Sequence, residues 1–262
     1  MRTLPTRFAA AFLPKGWPDL LRQIGLFCGA YWLYRLVRGL TDGRASDAFA
    51  HAREVVSLER ALGLFIEPAV HTWARGSTLV IDGASWMYVN SHFTITTVTL
   101  AFIYLRRNPS FYFIRNMFMV AMSIALVGYA LFPTAPPRLM PEWGFSDSVA
   151  AFTGVDPATS SAGTLFNPFA AVPSMHVAFA LMLAVPMASM SRRRVVKGLW
   201  AVYPAVVTFV VVATANHWWF DAFTGALTAA VSAVVAVGFA RSRPASWAWV
   251  TAAPAPVTHP AR

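Results

Sequence analysis

Six apolar stretches, each about as long as a bilayer-spanning helix, constrain the fold of this chain more than any other feature. They cover roughly residues 19–40, 79–105, 112–132, 171–190, 198–216 and 219–240. A transmembrane helix needs about 20 predominantly apolar residues, because the hydrocarbon core of a bilayer is about 30 Å thick. The first stretch is the weakest, since Arg22, Arg35 and Arg38 interrupt it. The sequence therefore predicts an all-α, polytopic membrane bundle of six transmembrane helices.

The composition supports a membrane protein and excludes some site chemistries. Charged residues make up only 12% of the 262-residue chain and hydrophobic residues 57%, whereas about 25% of the residues in ordinary soluble domains are charged. Cys28, the single cysteine, lies within the first apolar stretch. One cysteine excludes both an intrachain disulfide and a cysteine metal cluster.

The distribution of charges predicts the orientation of the helices. With a cytoplasmic N-terminus, the inner segments hold a basic set made up of Arg2, Arg7, Lys15, Arg106, Arg107, Arg115, Arg192, Arg193, Arg194, Lys197, Arg241 and Arg243. The outer segments hold nearly every acidic residue. Lys and Arg concentrate in the cytoplasmic loops of membrane proteins. The net charge of +10 is therefore assigned to topology, and no nucleic-acid partner is expected.

These segments predict one membrane domain with short extensions. Residues 1–18 form a cytoplasmic N-terminus, residues 19–240 form a six-span catalytic domain, and residues 241–262 form a cytoplasmic tail whose composition predicts disorder. No cleavable signal is expected, because Arg35 and Arg38 follow the first apolar run where a cleavage site would lie.

Two extramembrane segments stand out. Residues 45–77 carry apolar side chains at helical spacing among charges, which predicts a helix in the outer interface, with a plain connector as the alternative. Residues 133–170 form a long segment rich in Pro, Gly and Ser. Loops of this length are often lids or binding loops, so a lid is expected here.

Three polar stretches are predicted to meet at the outer face. The third span ends in "FPTAPPRLMP", the fourth begins at "VPSMH", and the fifth runs into "TANHWWFDAFTGA". His176 and His217 are 41 residues apart, about the length of one span, a short turn and a second span at about 20 residues each. Both histidines therefore return to one face, and Arg138, just past the third span, lies there as well.

The residue types at this face indicate phosphoryl transfer. Asp221 lies four residues after His217 and can orient its ring, or form a purely structural hydrogen bond at a helix start. Ser174 begins a helix whose free N–H groups suit either an anion or ordinary capping. The guanidinium of Arg138 can bind phosphate oxygens or a lipid head group. His176 completes the set.

These motifs carry a family resemblance. "PSMH", followed by "HWWFD" and preceded by "FPTAPPR", resembles the type 2 phosphatidic acid phosphatase superfamily, most closely its inositol phosphorylceramide synthase branch. The resemblance covers roughly residues 45–240. It implies that His217 attacks phosphorus, Asp221 orients it, His176 protonates the leaving group, and Ser174 and Arg138 bind phosphate oxygens. No metal or other cofactor is implied.

The chain departs from the superfamily pattern at three positions. Leu131 replaces a Lys, Leu139 replaces a Pro and Val211 replaces an Arg. Phosphoryl transfer relies on neutralising the phosphate oxygens, so the loss of two cations favours a phosphodiester or head-group donor over a monoester. The candidate polar partners are Asn216, Tyr88, Asn90 and His92. For His92, a buried histidine bonded to a neighbouring helix is the favoured alternative.

The leading hypothesis is therefore a metal-independent, lipid-directed phosphotransferase or phosphatase. Its partners would be membrane lipids, with a lipid-phosphate or phospholipid substrate and, for transfer, a polyol acceptor. The expected location is the plasma membrane, with the site on the extracytoplasmic face. A proton-coupled transporter using the His/Asp cluster as a relay and a zinc site of two His and one Asp are the alternatives.

Overall fold

The computed structural model describes residues 13–41, 44–155 and 168–242. Within these ranges every regular element is helical: α1 (Gly16–Thr41), α2 (Ala45–Ala61), α3 (Glu67–Arg75), α4 (Thr78–Trp86), α5 (His92–Arg106), α6 (Asn108–Leu131), α7 (Ser148–Thr153), α8 (Met175–Met190), α9 (Arg194–Ala213) and α10 (Trp219–Ser242). The predicted all-α class is thus confirmed. Most of the predicted N-terminal segment, the middle of the predicted lid (156–167) and the predicted tail from residue 243 lie outside the described residues.

Among the residues that the structure describes, three helices are long and apolar enough to cross a membrane. They are α6, α9 and residues Trp219–Arg241 of α10, while α8 is apolar but only 16 residues long. The first two predicted spans are also helical but differ from simple apolar helices. Charged residues such as Asp19 and Arg22 lie in α1, and a π-helical turn, Met87–Ser91, separates α4 from α5. The structure therefore supports a membrane protein with three clear candidate spans among the described residues.

The predicted interfacial segment forms two helices rather than one. The chain turns between α2 and α3 at Gly63, whose φ of +70° lies in the left-handed region that glycine adopts without strain. One face of α2 is buried through Ala48, Ala52, Val55 and Val56. These side chains pack in a cluster with Trp218, which directly follows His217. The α2–α3 segment therefore packs onto the bundle end that carries the predicted site.

The bundle is built around α6. This helix packs against α1, α5, α8 and α10, and α8 also packs against α9. Its buried residues, including Ile114 and Phe118, contact Met182 and Leu183 of α8 in the largest apolar cluster. Burial of apolar area drives this packing where the unpacked surface would otherwise contact water, whereas helix contacts within lipid depend on close van der Waals fit. This packing brings the end of α6 close to the starts of α8 and α10.

Candidate active site

Backbone hydrogen bonds join the three predicted polar stretches at one end of the bundle. The Arg138 N–H donates to the Ala215 carbonyl oxygen at 2.8 Å, and the Ser174 N–H donates to the Asp221 carbonyl oxygen at 3.0 Å. The first bond ties the segment after α6 to the segment before α10. The second ties the start of α8 to the start of α10. Residues far apart in sequence thus surround one small volume.

His217 and Asp221 form a buried pair at the start of α10. His217 follows a tight turn in which Ala215 has a φ of +56°, and its Nδ1 lies 3.2 Å from Asp221 Oδ2. The same carboxylate oxygen accepts the Trp218 N–H at 2.9 Å. Both side chains are almost fully buried. A carboxylate at Nδ1 favours the tautomer with its proton on Nδ1, which leaves the Nε2 lone pair available for a substrate.

His176 faces this pair from the first turn of α8. Its ring centroid lies 5.5 Å from that of His217, with the two planes at 62°. Tyr88 stacks on His176 at 4.8 Å, and His92 lies 4.3 Å away between ring centroids. Both of these neighbours come from or directly follow the π-helical turn Met87–Ser91. Such turns re-aim side chains within a helix and occur frequently at functional sites.

Ser174 is the N-cap residue of α8. It is fully buried, and its side chain makes no capping bond. Its Oγ has no hydrogen-bond partner among the described residues. Buried hydroxyls without a partner are uncommon, because desolvation is then uncompensated. The start of α8 therefore combines an unpartnered hydroxyl with the free N–H groups of a helix N-terminus, which together suit an oxyanion.

Arg138 supplies a guanidinium beside the same turn. Its Nη1 donates to Asn216 Oδ1 at 2.6 Å, and its Nε lies 3.3 Å from Asp147 Oδ2. The Asn216 amide nitrogen in turn donates to the Thr214 hydroxyl at 2.9 Å. Asn216 thus orients the guanidinium. Asp147, which lies in the predicted lid segment, partly neutralises it.

Of the four candidate polar partners, three lie at the site and one does not. Asn216, Tyr88 and His92 are placed as described above, and His92 Nδ1 is buried without a hydrogen-bond partner among the described residues. Asn90 is exposed, and its amide donates to the Trp86 carbonyl oxygen of the preceding turn at 3.0 Å. The helix carrying these residues can present only one side to His176, and Asn90 lies on the other.

The positions that lack the superfamily's cations carry apolar side chains. Leu131, at the end of α6, is 73% exposed. Val211 is fully buried in a cluster with Val177 and Ala222. Neither position can supply a charge to the phosphate. Among the described residues, no three His, Cys, Asp or Glu side chains are grouped as a metal site requires.

Two buried glutamates outside the predicted motifs contact the start of α10. Glu67 accepts the Trp219 N–H at 3.0 Å, and Glu59 accepts the Phe220 N–H at 2.8 Å. Burial and the neighbouring Glu67 raise the pKa of Glu59 to about 9. In the sequence, these two residues are only two acids in the predicted interfacial segment, whose apolar residues recur at helical spacing, so their contact with α10 could not be predicted.

His71 of α3 is a further buried polar residue near the site. Its Nδ1 donates to the Ala213 carbonyl oxygen at 2.8 Å, and its Nε2 accepts the Ser146 N–H at 3.3 Å. Burial lowers the pKa of His71 below its usual value, so the ring remains neutral near neutral pH. His71 therefore connects the end of α9 to the segment that carries Asp147.

Comparison with known proteins agrees with this geometry. Residues 53–235 match the family model of the PAP2 superfamily, a stretch that includes Arg138, Ser174, His176, His217 and Asp221. Comparison with curated proteins and with solved structures gave no match. Because the matched region covers well over half of the chain, the protein belongs to the PAP2 superfamily, whose members are generally phosphatases and phosphotransferases.

Proposed function

We propose that this protein is an integral membrane phosphotransferase or phosphatase that acts on a lipid-linked phosphate or phosphodiester through a phosphohistidine at His217. The observation that carries the proposal is the buried His217–Asp221 pair, 3.2 Å between Nδ1 and Oδ2, facing His176 across 5.5 Å between ring centroids. A nucleophile oriented by a third group is the arrangement that covalent catalysis needs.

The first step of the reaction transfers the phosphoryl group to His217. The Nε2 lone pair attacks phosphorus, and a P–N bond forms as the bond from phosphorus to the leaving oxygen breaks. His176 donates a proton to that oxygen as it departs. Asp221 stabilises the positive charge that develops on the His217 ring, and the buried setting strengthens this interaction.

The second step returns the enzyme to its starting state. His176, now neutral, accepts a proton from water or from an alcohol as its oxygen attacks phosphorus. The P–N bond breaks and His217 regains its lone pair. Hydrolysis and transfer therefore share the first step and differ only in the acceptor.

Two helix starts meet at the site, and the proposed phosphate position is at α8. The first N–H groups of α10 already donate to carboxyl oxygens of Asp221, Glu67 and Glu59. An anion would be repelled from that turn. The start of α8 carries the unpartnered Ser174 Oγ and points its dipole toward the same volume. Ser174 and Arg138 are therefore proposed to hold the phosphate oxygens.

The low number of cations supports a phosphodiester donor. A phosphate monoester carries about −1.5 to −2 charges at neutral pH, whereas a diester carries one. Arg138, already paired with Asp147, donates to the neutral amide of Asn216, and the polar side chains of Tyr88 and His92 lie beside His176. This balance fits a singly charged head group, as in the inositolphosphotransferase branch that the motif resembles, with a polyol such as inositol as acceptor.

The proposed topology has six spans, with both termini in the cytoplasm and the site on the extracytoplasmic face of the plasma membrane. Each of the six apolar stretches is helical over most of its described residues. The basic residues from Arg192 to Lys197 lie in the turn after α8 and in the first turn of α9, at the end of the bundle opposite His176 and His217. Such basic turns normally face the cytoplasm.

A transporter receives no comparable support. His176 and His217 lie at helix starts at one end of the bundle, whereas substrate and ion sites of transporters usually lie near the membrane midplane.

Radiolabelled phospholipids test the proposed function directly. Purified protein should release or transfer the labelled phosphoryl group, and thin-layer analysis with and without inositol separates hydrolysis from transfer. The His217→Ala variant is the control and should give no product. Retention of full turnover in that variant would contradict the proposal. A parallel assay in excess chelator tests metal independence.

A further inference from the structure

Glu59 and Glu67 are buried carboxylic acids that lie outside the superfamily's motif positions in this chain. Glu59 lies near the end of α2 and Glu67 is the first residue of α3. Their exposed fractions are 2% and 0%. Buried carboxyl groups are unfavourable unless they are hydrogen-bonded or neutralised, so a specific role is expected for this pair.

Each glutamate accepts a backbone N–H from the turn that follows His217. Trp219 donates to Glu67 Oε1 at 3.0 Å, and Phe220 donates to Glu59 Oε1 at 2.8 Å. The Trp218 N–H donates to Asp221 Oδ2 at 2.9 Å. Three successive peptide N–H groups are therefore held by three different carboxyl groups.

The remaining oxygens of the two glutamates are unpaired in a buried setting, which disfavours two negative charges. Glu59 Oε2 and Glu67 Oε2 have no other hydrogen-bond partner among the described residues, and each carboxyl group interacts with the other. Burial and the neighbouring Glu67 raise the pKa of Glu59, so Glu59 holds a proton at neutral pH and only one of the two groups can carry a negative charge. A single negative charge is favourable at a helix N-terminus.

The held turn determines where His217 points. The Asp221 side chain, which binds His217 Nδ1, projects from this turn. Among the residues that the structure describes, Asp221 is the only side chain of the bundle helices that accepts an N–H from residues 218–220. Without the glutamates, the start of α10 would lose two of its three carboxyl acceptors.

We propose that Glu59 and Glu67 are positioning residues that fix the backbone of residues 218–220 and thereby hold the His217–Asp221 pair in line with the phosphorus atom. The inference rests on the proposed function for its catalytic consequence. The two glutamates also connect the interfacial α2–α3 segment to the nucleophile His217. Misplacing a reacting group by about 1 Å can reduce a rate by about 100-fold.

Alanine and glutamine variants separate this role from general stability. Glu59→Ala and Glu67→Ala remove the acceptor oxygens, whereas Glu59→Gln and Glu67→Gln keep an acceptor for the same N–H. Glu54→Ala is the matched control, because Glu54 lies on the exposed face of the same helix as Glu59. Thermal unfolding in detergent identifies variants that remain folded.

The kinetic readout is the rate of phosphohistidine formation in a single turnover. Both alanine variants are expected to lose about 10- to 100-fold in this rate and in kcat, with KM unchanged, as expected for a displaced nucleophile. The glutamine variants should retain the rate to within about 3-fold. Alanine variants that match Glu54→Ala, or glutamine variants that fail as badly as alanine, would overturn the proposal. If the alanine variants do not fold, Glu67→Asp, which withdraws the oxygen by one methylene, takes their place with the same expected loss.

A spectroscopic readout keeps this test independent of the reaction. In protein with labelled histidine, the Nδ1–H signal of His217, shared with Asp221, should broaden or exchange faster with water in Glu67→Ala and stay unchanged in Glu54→Ala. An unchanged signal in Glu67→Ala would overturn the positioning role. If the signal is lost in Glu67→Ala but the wild-type protein shows no turnover, the proposed function is refuted and the positioning role stands.

Discussion

Gly225 of α10 lies directly against the backbone of Ser174, so closely that a Cβ atom at position 225 would collide with the Ser174 carbonyl oxygen. One turn earlier on the same helix, the Asp221 carbonyl accepts the Ser174 N–H at 3.0 Å. The missing side chain at position 225 is what lets α10 and the start of α8 approach. The proposed phosphate-binding and nucleophilic segments are therefore held together by backbone contacts.

The Gly225→Ala variant should lose activity through displacement of Ser174. The added methyl group forces the starts of α8 and α10 apart, because the atoms it meets belong to the Ser174 backbone and cannot rotate away. We expect kcat/KM to fall by at least about 10-fold, as misplacement of a reacting group does. Gly238→Ala, in the same helix but with open space at its Cβ position, is the control and should behave like the wild type. Equal activity of the two variants would contradict the close-approach argument.

The roles of the two histidines can be separated with an activated substrate. General acid catalysis is typically worth about 10²- to 10⁴-fold, and a nitrophenyl leaving group departs without a proton. A nitrophenyl phosphate ester should therefore restore most turnover to His176→Ala and none to His217→Ala. The release of nitrophenol, followed by absorbance, provides the measurement. Rescue of His217→Ala alone would mean that the roles are reversed.

The salt bridge between Arg138 and Asp147 should weaken substrate binding. Asp147→Asn removes the competing charge but retains the oxygen that accepts the Ala150 N–H at 2.8 Å. Partly exposed ion pairs are worth about 0.2–1 kcal/mol, so KM for an anionic lipid should fall by about 1.5- to 5-fold at low salt. Glu142→Gln, which breaks an exposed pair with Arg53, serves as the control. A higher KM in Asp147→Asn would show that Asp147 assists binding.

The sequence identified the motif residues because their chemistry and spacing are local. The 41 residues between His176 and His217 correspond to α8, a short turn and α9, and span lengths alone bring both rings to one end. From the sequence, Asn90 is a candidate polar partner in the second span. Its placement on the opposite side of the helix depends on the π-helical turn Met87–Ser91. The periodicity of apolar residues in the sequence does not predict such a turn.

Other features depended on long-range contacts. Glu59 and Glu67 meet the start of α10 only because α2 and α3 fold back over it, and the turn at Gly63 that allows this divides a segment that was expected to form one helix. The pairing of Asp147 with Arg138 likewise follows from tertiary packing. Acids in an interfacial segment are normally solvated, so their types and spacing did not distinguish them from surface residues.

The proposed orientation predicts that the turn between α8 and α9 faces the cytoplasm. An epitope or a single reactive cysteine placed among residues 192–197 should be modified only after the membrane is permeabilised. The basic side chains Arg192, Arg193, Arg194 and Lys197 provide the reason. A probe in the α2–α3 segment, at exposed Glu54, should react in intact cells. Modification of residues 192–197 from outside would reverse the orientation and move the site to the cytoplasmic face.

The stability of the folded protein should fall as the pH rises from about 7 to about 9. Burial and the neighbouring Glu67 raise the pKa of Glu59 to about 9, from an ordinary value of 4.5. Between these two values the folded state holds a proton that the unfolded state has lost, so the free energy of unfolding decreases with pH, by at most about 1.4 kcal/mol per pH unit.

His71 contributes a pH dependence of the opposite sign to that of Glu59. Burial places the pKa of His71 below its ordinary value of 6.5, so its contribution to stability rises with pH and is complete above about that value. Between pH 7 and 9 the slope therefore reports on Glu59, which faces Glu67 and Asp221. The apparent Tm in detergent should decline over this range in the wild type and His71→Gln but stay nearly level in Glu59→Gln, whose amide has no proton to lose. An undiminished slope in Glu59→Gln would show that another group holds the proton.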